Sequence, residues 1–175
     1  MRIIAGSHKG ARIFAPKGRE TRPTGDRVRE AAFNLIGPVD GASVLDVFAG
    51  SGAMGLEALS RGAATAVFVE LDREACKTIE RNLDKLGLTG ATVLCRDALQ
   101  ALANDARTYD LVLCDPPYEL AGRAEIGQYL ARVLVPDGLL VYETGAKVQP
   151  EIESLTMRTS RTYGSARLTL FEHES

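Results

Sequence analysis

Val44-Leu45-Asp46-Val47-Phe48-Ala49-Gly50-Ser51-Gly52-Ala53-Met54-Gly55 is an apolar run, broken by one acid, that passes directly into three spaced glycines. The run reads as a buried strand and residues 53–61 as a helix, so Gly50, Gly52 and Gly55 fall at the junction. Gly-x-Gly-x-x-Gly in that setting lets the backbone turn tightly and approach a nucleotide-like ligand, with Phe48, Ala49 and Ser51 completing the loop. Glu70, with Leu71 beside it, ends the next apolar run 20 positions after Gly50, where a carboxylate can accept from both hydroxyls of a ribose.

The glycines alone do not choose between a nicotinamide dinucleotide and S-adenosylmethionine. Asp46 lies inside the strand, where an unpaired carboxylate would be costly. The ammonium group of a methionine moiety would satisfy it, and so would nearby backbone amides. Asp97 and Ala98 follow the third apolar run. They offer an acceptor and an amide donor to an adenine ring, or else Asp97 is simply a helix cap.

Apolar runs and helical patterns alternate along the chain. Strands are expected at 44–48, 66–70, 92–95, 111–114 and 139–143, and helices near 53–61, 73–86, 97–103 and 123–134. Asp72 is placed to cap the helix at 73–86, and Gly87 to end it. The pattern predicts an α/β fold with a doubly wound, mostly parallel sheet. Residues 157–163 and 166–172 predict a terminal antiparallel hairpin around Gly164-Ser165. Before the sheet, Ile3–Gly6 and Ala11–Ala15 predict a β-hairpin. Thr24 or Asp26 would then cap a helix running to Ile36. The expected organisation is one domain, 1–175, with 1–38 as a basic hairpin-plus-helix extension.

Asp115-Pro116-Pro117-Tyr118 directly follows the run Leu111–Cys114. Two prolines fix φ and remove two backbone donors, so nearby carbonyls are left for a ligand. The carboxylate only accepts, and the ring offers a stacking face. Acceptors beside a stacking face suit a planar ring bearing an amino group.

The net charge of −2 conceals an asymmetry, because residues 1–29 carry +6 and the remainder −8. A basic arm on an acidic body points to a polyanion that meets one face. No apolar run is long enough to span a membrane, and Met1–Gly6 lack the apolar core of a signal peptide, which predicts a cytoplasmic protein. Cys76, Cys95 and Cys114 are well separated and read as buried thiols.

Together, Asp46, the loop Phe48 to Gly55, Glu70, Asp97 and Asp115 to Tyr118 resemble the Rossmann-like S-adenosylmethionine-dependent methyltransferases. There an Asp-Pro-Pro-Tyr motif marks enzymes that methylate amino groups on bases or similar planar groups. Arg2-Ile3-Ile4-Ala5-Gly6, Thr21-Arg22-Pro23-Thr24 and Asp26-Arg27-Val28-Arg29-Glu30-Ala31-Ala32-Phe33-Asn34, with Tyr163-Gly164, narrow the resemblance. Over essentially the whole chain it is similar to the RsmD family, the bacterial 16S ribosomal RNA guanine-N2 methyltransferases.

The resemblance implies S-adenosyl-L-methionine as cofactor, bound by Asp46, Phe48, Ala49, Gly50, Ser51, Gly52, Gly55, Glu70, Leu71, Asp97, Ala98 and Asp115. It implies a catalytic Asp115, Pro116, Pro117 and Tyr118, and no metal. The partner would be ribosomal RNA within a partly or fully assembled small subunit, met by a monomer. Arg2, Lys9, Arg12, Arg22, Arg27 and Arg29, with Arg158, Arg161 and Arg167 at the other edge, are the expected RNA contacts. Three alternatives compete. A DNA adenine or cytosine amino methyltransferase shares the tetrapeptide but usually needs a target-recognition domain, for which 175 residues leave little room. A nicotinamide-dependent oxidoreductase has no use for Asp115 to Tyr118. A silent RNA-binding module would not need every cofactor position.

Overall fold

Strands that are apolar on both sides need cover on both faces. The computed structural model, which describes residues 1–17 and 23–174, supplies it. One sheet contains β1 Ser43–Val47, β2 Thr65–Glu70, β3 Ala91–Cys95, β4 Tyr109–Cys114, β5 Leu134–Gly145, β6 Leu155–Tyr163 and β7 Ala166–His173. The order is β3-β2-β1-β4-β5-β7-β6. The first five strands pair in parallel, and β7 and β6 add an antiparallel hairpin. Helices α1 Pro23–Ile36, α2 Ala53–Ser60 and α3 Arg73–Leu86 pack on one face, and α4 Ala98–Asn104 and α5 Ala124–Val133 on the other. This is the α/β architecture expected from the alternating pattern. No helix among the described residues is long and apolar enough to cross a membrane.

Two helix starts show how local chemistry set the elements. The Asp72 carboxylate accepts from the amides of Glu74 at 2.8 Å and Ala75 at 3.1 Å, while Gly87 ends α3 with φ 63°. Asp97 accepts from the Gln100 amide at 3.0 Å and caps α4. Other expectations shift. Helix α1 begins at Pro23, so Asp26 lies within its first turn and pairs with Arg29 rather than capping. The last parallel strand starts at Leu134, which pairs with Tyr109 before a register shift and re-pairing at Leu139. The Pro136-Asp137-Gly138 turn signal inside that shift made the early part of β5 look like loop. Cys95 is exposed, whereas Cys76 and Cys114 are buried.

The N-terminus is bound to the helices as well as to itself. Residues 1–13 fold back as the expected hairpin, a short one: around the antiparallel bridge of Arg2 with Arg12, the Ile3 amide donates to the Ala11 carbonyl at 2.9 Å, the Ile13 amide to the Met1 carbonyl at 3.0 Å and the Gly10 amide to the Ile3 carbonyl at 2.8 Å. Beyond Ile3 the backbone donors turn to Glu57, a fully buried residue of α2. Its carboxylate accepts from the Ile4 amide at 2.9 Å and the Ala5 amide at 3.0 Å. It also pairs with Arg61 at 2.9 Å and with Arg29 Nε at 3.6 Å. Ile3 and Ile13 are buried in the core with α1 and α2, and Asn82 of α3 exchanges hydrogen bonds with the Phe14 backbone at 2.7 and 3.0 Å. The basic segment is therefore stitched into the fold, because its backbone groups find partners on α2 and α3.

Removing Glu57 would leave the buried Arg29 with Asp26 as its remaining ion-pair partner, take the ion pair from the half-buried Arg61, and free the Ile4 and Ala5 amides. Glu57→Ala is expected to lower the unfolding free energy by about 3–5 kcal/mol, as for other buried pairs broken on one side. Lys77→Ala, at the exposed pair with Glu74, should cost under about 1 kcal/mol. Urea unfolding of both variants checks the contrast, and equal losses would contradict it.

Candidate active site

The strand order reverses between β1 and β4, and in open α/β sheets the ligand crevice lies outside the carboxyl ends at that point. The glycine loop leaves β1 there. Phe48, Gly50 and Gly52 have φ of 59°, 58° and 79°. Glycine takes such angles freely, whereas Phe48 is held there at a cost of about 1–3 kcal/mol, a local strain typical of ligand-binding loops. Gly55 is required for closeness: a Cβ added there would lie 2.3 Å from the Phe68 ring. Two carboxylates clamp the loop. The Gly50 amide donates to Glu70 at 2.7 Å, and the Gly55 amide donates to Asp46 at 3.0 Å.

These bonds refine the expected roles. Glu70 also accepts from the Asp72 amide at 3.1 Å, so each of its oxygens holds backbone and keeps one lone-pair direction for a ligand. Asp46 is 5% exposed with one backbone donor. Burial pushes its carboxyl up to about 8, against the pull of the Gly55 amide and with added repulsion from Asp115 and Glu70. Both readings of Asp46 thus have a basis: an amide partly satisfies it, and a cation would satisfy it further. Leu71, 67% exposed beside Glu70, offers an apolar platform, and Asp97 and Ala98 lie at the start of α4.

Across the crevice, Asp115 to Tyr118 leave the end of β4. Pro116 is buried. The Pro117 carbonyl accepts from the amides of Leu120 at 2.9 Å and Ala121 at 3.1 Å, closing a turn. Among the described residues no donor reaches the Pro116 carbonyl or the Asp115 carboxylate. Asp115 is exposed as a residue, yet lost hydration at its carboxyl pushes it up to about 6. The upward direction agrees with the repulsion it exerts on Asp46 and Glu143. Tyr118 is 84% exposed, so a full ring face is free. A separate concavity of about 840 Å³ lies between α5, residues 148–153 and β6–β7. Within it Arg167 donates to Ser160, and Ser160 bonds Thr169. It carries no reacting group.

The structure sorts the expected RNA contacts. Arg2, Lys9, Arg12, Arg27, Arg158 and Arg161 are exposed, and Arg22 lies outside the described residues. Arg29 is a correction: at 4% exposure it pairs with Asp26 and Glu57 and donates to the Arg2 carbonyl, so it braces the arm from within. Arg167 is half-buried and donates to the Ala146 carbonyl and Ser160. Two cations went unnoticed in the sequence. Arg81 and Lys85 lie over the Phe14 ring at 4.3 and 4.7 Å, which adds them to the basic arm. Their spacing on α3 carries no hint of that contact. Glu143, at the end of β5, was also missed, since it reads there as a strand terminus.

The family model described as Conserved hypothetical protein 95 matches residues 1–172. Ribosomal RNA small subunit methyltransferase D of Escherichia coli strain K12 is 39% identical over 155 residues, spanning 88% of this chain and 76% of that protein. The chain belongs to the RsmD family. The same-named protein of Haemophilus influenzae is 35% identical over 182 residues, 99% of this chain and 94% of that one. Among solved structures, yhhF of Escherichia coli superposes with a TM-score of 0.90 at 34% identity, covering 99% of this chain and 98% of that one. Ribosomal protein L11 methylase of Lactobacillus delbrueckii subsp. bulgaricus, at 18% identity and a TM-score of 0.74, shares the fold over 86% of this chain and 79% of its own.

In this RsmD-family chain Asp46 gives a pH signature. Its folded value of about 8 stands far above the unfolded 3.8, so between those values the folded state holds a proton that the unfolded state releases. The stabilisation is complete below the unfolded value and is lost as pH rises toward the folded one. Asp46→Asn keeps an oxygen for the Gly55 amide and removes the titration. Without ligand, the variant is expected to melt above wild type near pH 8 and to converge with it near pH 4. Melting curves across that range check this, and a difference that grows toward acid would contradict it.

Proposed function

We propose that this chain transfers the methyl group of S-adenosylmethionine to the exocyclic N2 amino group of a guanine in 16S ribosomal RNA. It would act in the cytoplasm as a single-domain monomer on a partly or fully assembled small subunit. The observation that carries the reading is the unpartnered Asp115 carboxylate and free Pro116 carbonyl beside the exposed Tyr118 ring, across a strand-order reversal from a clamped glycine loop. The names of the Escherichia coli and Haemophilus influenzae relatives support small-subunit RNA as the substrate.

The residues present suit the cofactor. Asp46, buried and short of donors, fits the ammonium of the methionine moiety, and the remaining lone pairs of Glu70 fit the ribose hydroxyls. Phe48 and Leu71 offer apolar cover, the loop Ala49 to Gly52 lets backbone approach, and Asp97 with the Ala98 amide borders the adenine side. The bound cofactor supplies an electrophilic methyl group whose bonding electrons leave onto sulfur.

The amino nitrogen of guanine is a weak nucleophile, because its lone pair is delocalised into the ring. Asp115 and the Pro116 carbonyl accept its two hydrogens and localise that pair, while Tyr118 stacks on the base and Pro117 rigidifies the turn. As the nitrogen gains positive charge beside Asp115, stabilisation grows toward the transition state. The excess proton then passes to Asp115 or to water. A base must leave its stack to reach this loop, so an unpaired or flipped nucleotide is required. Arg2, Lys9, Arg12 and Arg27, joined by Arg81 and Lys85, hold phosphates on one side, and Arg158 and Arg161 on the other.

Incubation with tritiated cofactor and RNA or DNA tests the reading. Label is expected in small-subunit RNA as N2-methylguanosine, and label in DNA, or none, would overturn it. Asp115→Ala should abolish transfer while cofactor binding persists, and normal turnover by that variant would refute the mechanism. Removing residues 1–20 would not test the arm, because Ile3 and Ile13 are core residues. Replacing Arg2, Lys9 and Arg12 together with Gln is expected to shallow the dependence of log affinity on log salt by roughly 0.7–0.9 for every phosphate no longer neutralised. An unchanged slope would remove the arm from the interface.

A further inference from the structure

A second carboxylate stands on the acceptor side of the crevice. In the parallel pair β4–β5, Cys114 lies opposite Tyr142, so the next residues, Asp115 and Glu143, are neighbours where the strands approach the crevice. Glu143 is half-buried, and among the described residues no donor reaches it. Burial first, and then the charge of Asp115, push its carboxyl up to about 7. A half-buried carboxylate left without donors is costly unless a ligand completes it. The ligand-facing side is defined independently by Tyr118. A Cβ added at Gly145 would come within 3.2 Å of the Tyr118 hydroxyl, so the tyrosine reaches across β5 just past Glu143. Tyr118, Asp115 and Glu143 thus border one space.

Chemistry says which base suits two adjacent carboxylates. The pairing edge of guanine presents N1–H and the N2 amino group side by side, a row of donors. Adenine presents a lone pair at N1 and cytosine one at N3, each next to its amino group. A carboxylate only accepts, so it bonds the guanine N1–H and repels those lone pairs. We propose that Glu143 selects guanine by accepting its N1–H while Asp115 holds the amino group that is methylated. This rests on the methyl-transfer reading above and supplies what the tetrapeptide cannot, since an Asp-Pro-Pro-Tyr loop recognises an amino group on any base. Discrimination follows because the wrong base leaves a buried carboxylate unpaired and facing a lone pair.

The test uses the RNA that the wild-type protein labels. Once digestion has located the labelled nucleotide, the RNA is rebuilt with guanosine or with 2-aminopurine there. The analogue keeps the 2-amino group but carries a lone pair at N1. Wild type is expected to favour guanosine in kcat/KM by roughly tenfold or more, the scale of a hydrogen bond to a charged group. Glu143→Gln, whose amide can donate to the N1 lone pair, should lose rate on guanosine and gain it on 2-aminopurine, collapsing the ratio. Glu143→Ala should lose rate on guanosine without that gain. Cofactor affinity, measured in parallel, should be unchanged in both variants, which separates base selection from a folding defect. If Glu143→Gln does not bind cofactor, the ratio for Glu143→Ala decides. A wild-type ratio preserved in the variants overturns the assignment of Glu143 and leaves the methyltransferase reading intact. Label on a base other than guanine overturns the guanine reading itself.

Discussion

The Gly50 amide, held by the Glu70 carboxylate at 2.7 Å, is the contact on which the crevice depends. It joins the loop after β1 to the end of β2, so the two strands that border the cofactor side cannot move separately. The bond from the Gly55 amide to Asp46 adds the second clamp, from within β1 to the first turn of α2. Both use a carboxylate that would be the natural partner of the cofactor. Each acid therefore holds the loop by a backbone amide while keeping an acceptor direction for a ligand. Such preorganisation lowers the ordering cost that binding would otherwise meet.

The same helix carries the second framework. Helix α2 begins at the glycine loop, and its Glu57 accepts the amides of Ile4 and Ala5 and pairs with Arg29 and Arg61. A single element thus sets the position of the loop and of the basic arm. The arm also crosses α3, where Asn82 bonds the Phe14 backbone and lies 3.5 Å from the Ser51 carbonyl of the loop. Phosphate contacts made by Arg2, Lys9 or Arg12 would be rigidly referenced to the methyl-donor side. Interactions of that kind convert binding into alignment.

Much of this was legible in the sequence, and the failures share one cause. The strands, the glycine loop, the caps at Asp72 and Gly87 and the Asp-Pro-Pro-Tyr turn are local signals, carried by neighbouring residues. The role of a charged side chain is not local. Arg29 reads as an exposed helix cation until Glu57, buried in a different helix, claims it. The N-terminal hairpin forms as read, but its attachment was not legible: the amides of Ile4 and Ala5 find Glu57 of a distant helix. Arg81 and Lys85 join the basic arm through the Phe14 ring. Glu143 is noticed only when strand register places it beside Asp115. Phe48 gave no sign of its left-handed backbone, since nothing in an apolar strand end predicts it.

The crevice is also unusual in sign. Burial pushes Asp46, Asp115 and Glu143 up to about 8, 6 and 7, and the Asp115 charge adds repulsion at Asp46 and at Glu143. A structural ion network would have supplied each with a cation from the chain. Among the described residues no ion pair reaches Asp46, Asp115 or Glu143, and the buried Arg29 is held by Asp26 and Glu57. A cationic cofactor at Asp46 and a row of N–H donors at Asp115 and Glu143 would relieve all three at once. Perturbed acids in a crevice are a mark of function for this physical reason: the fold tolerates the repulsion that its ligands remove.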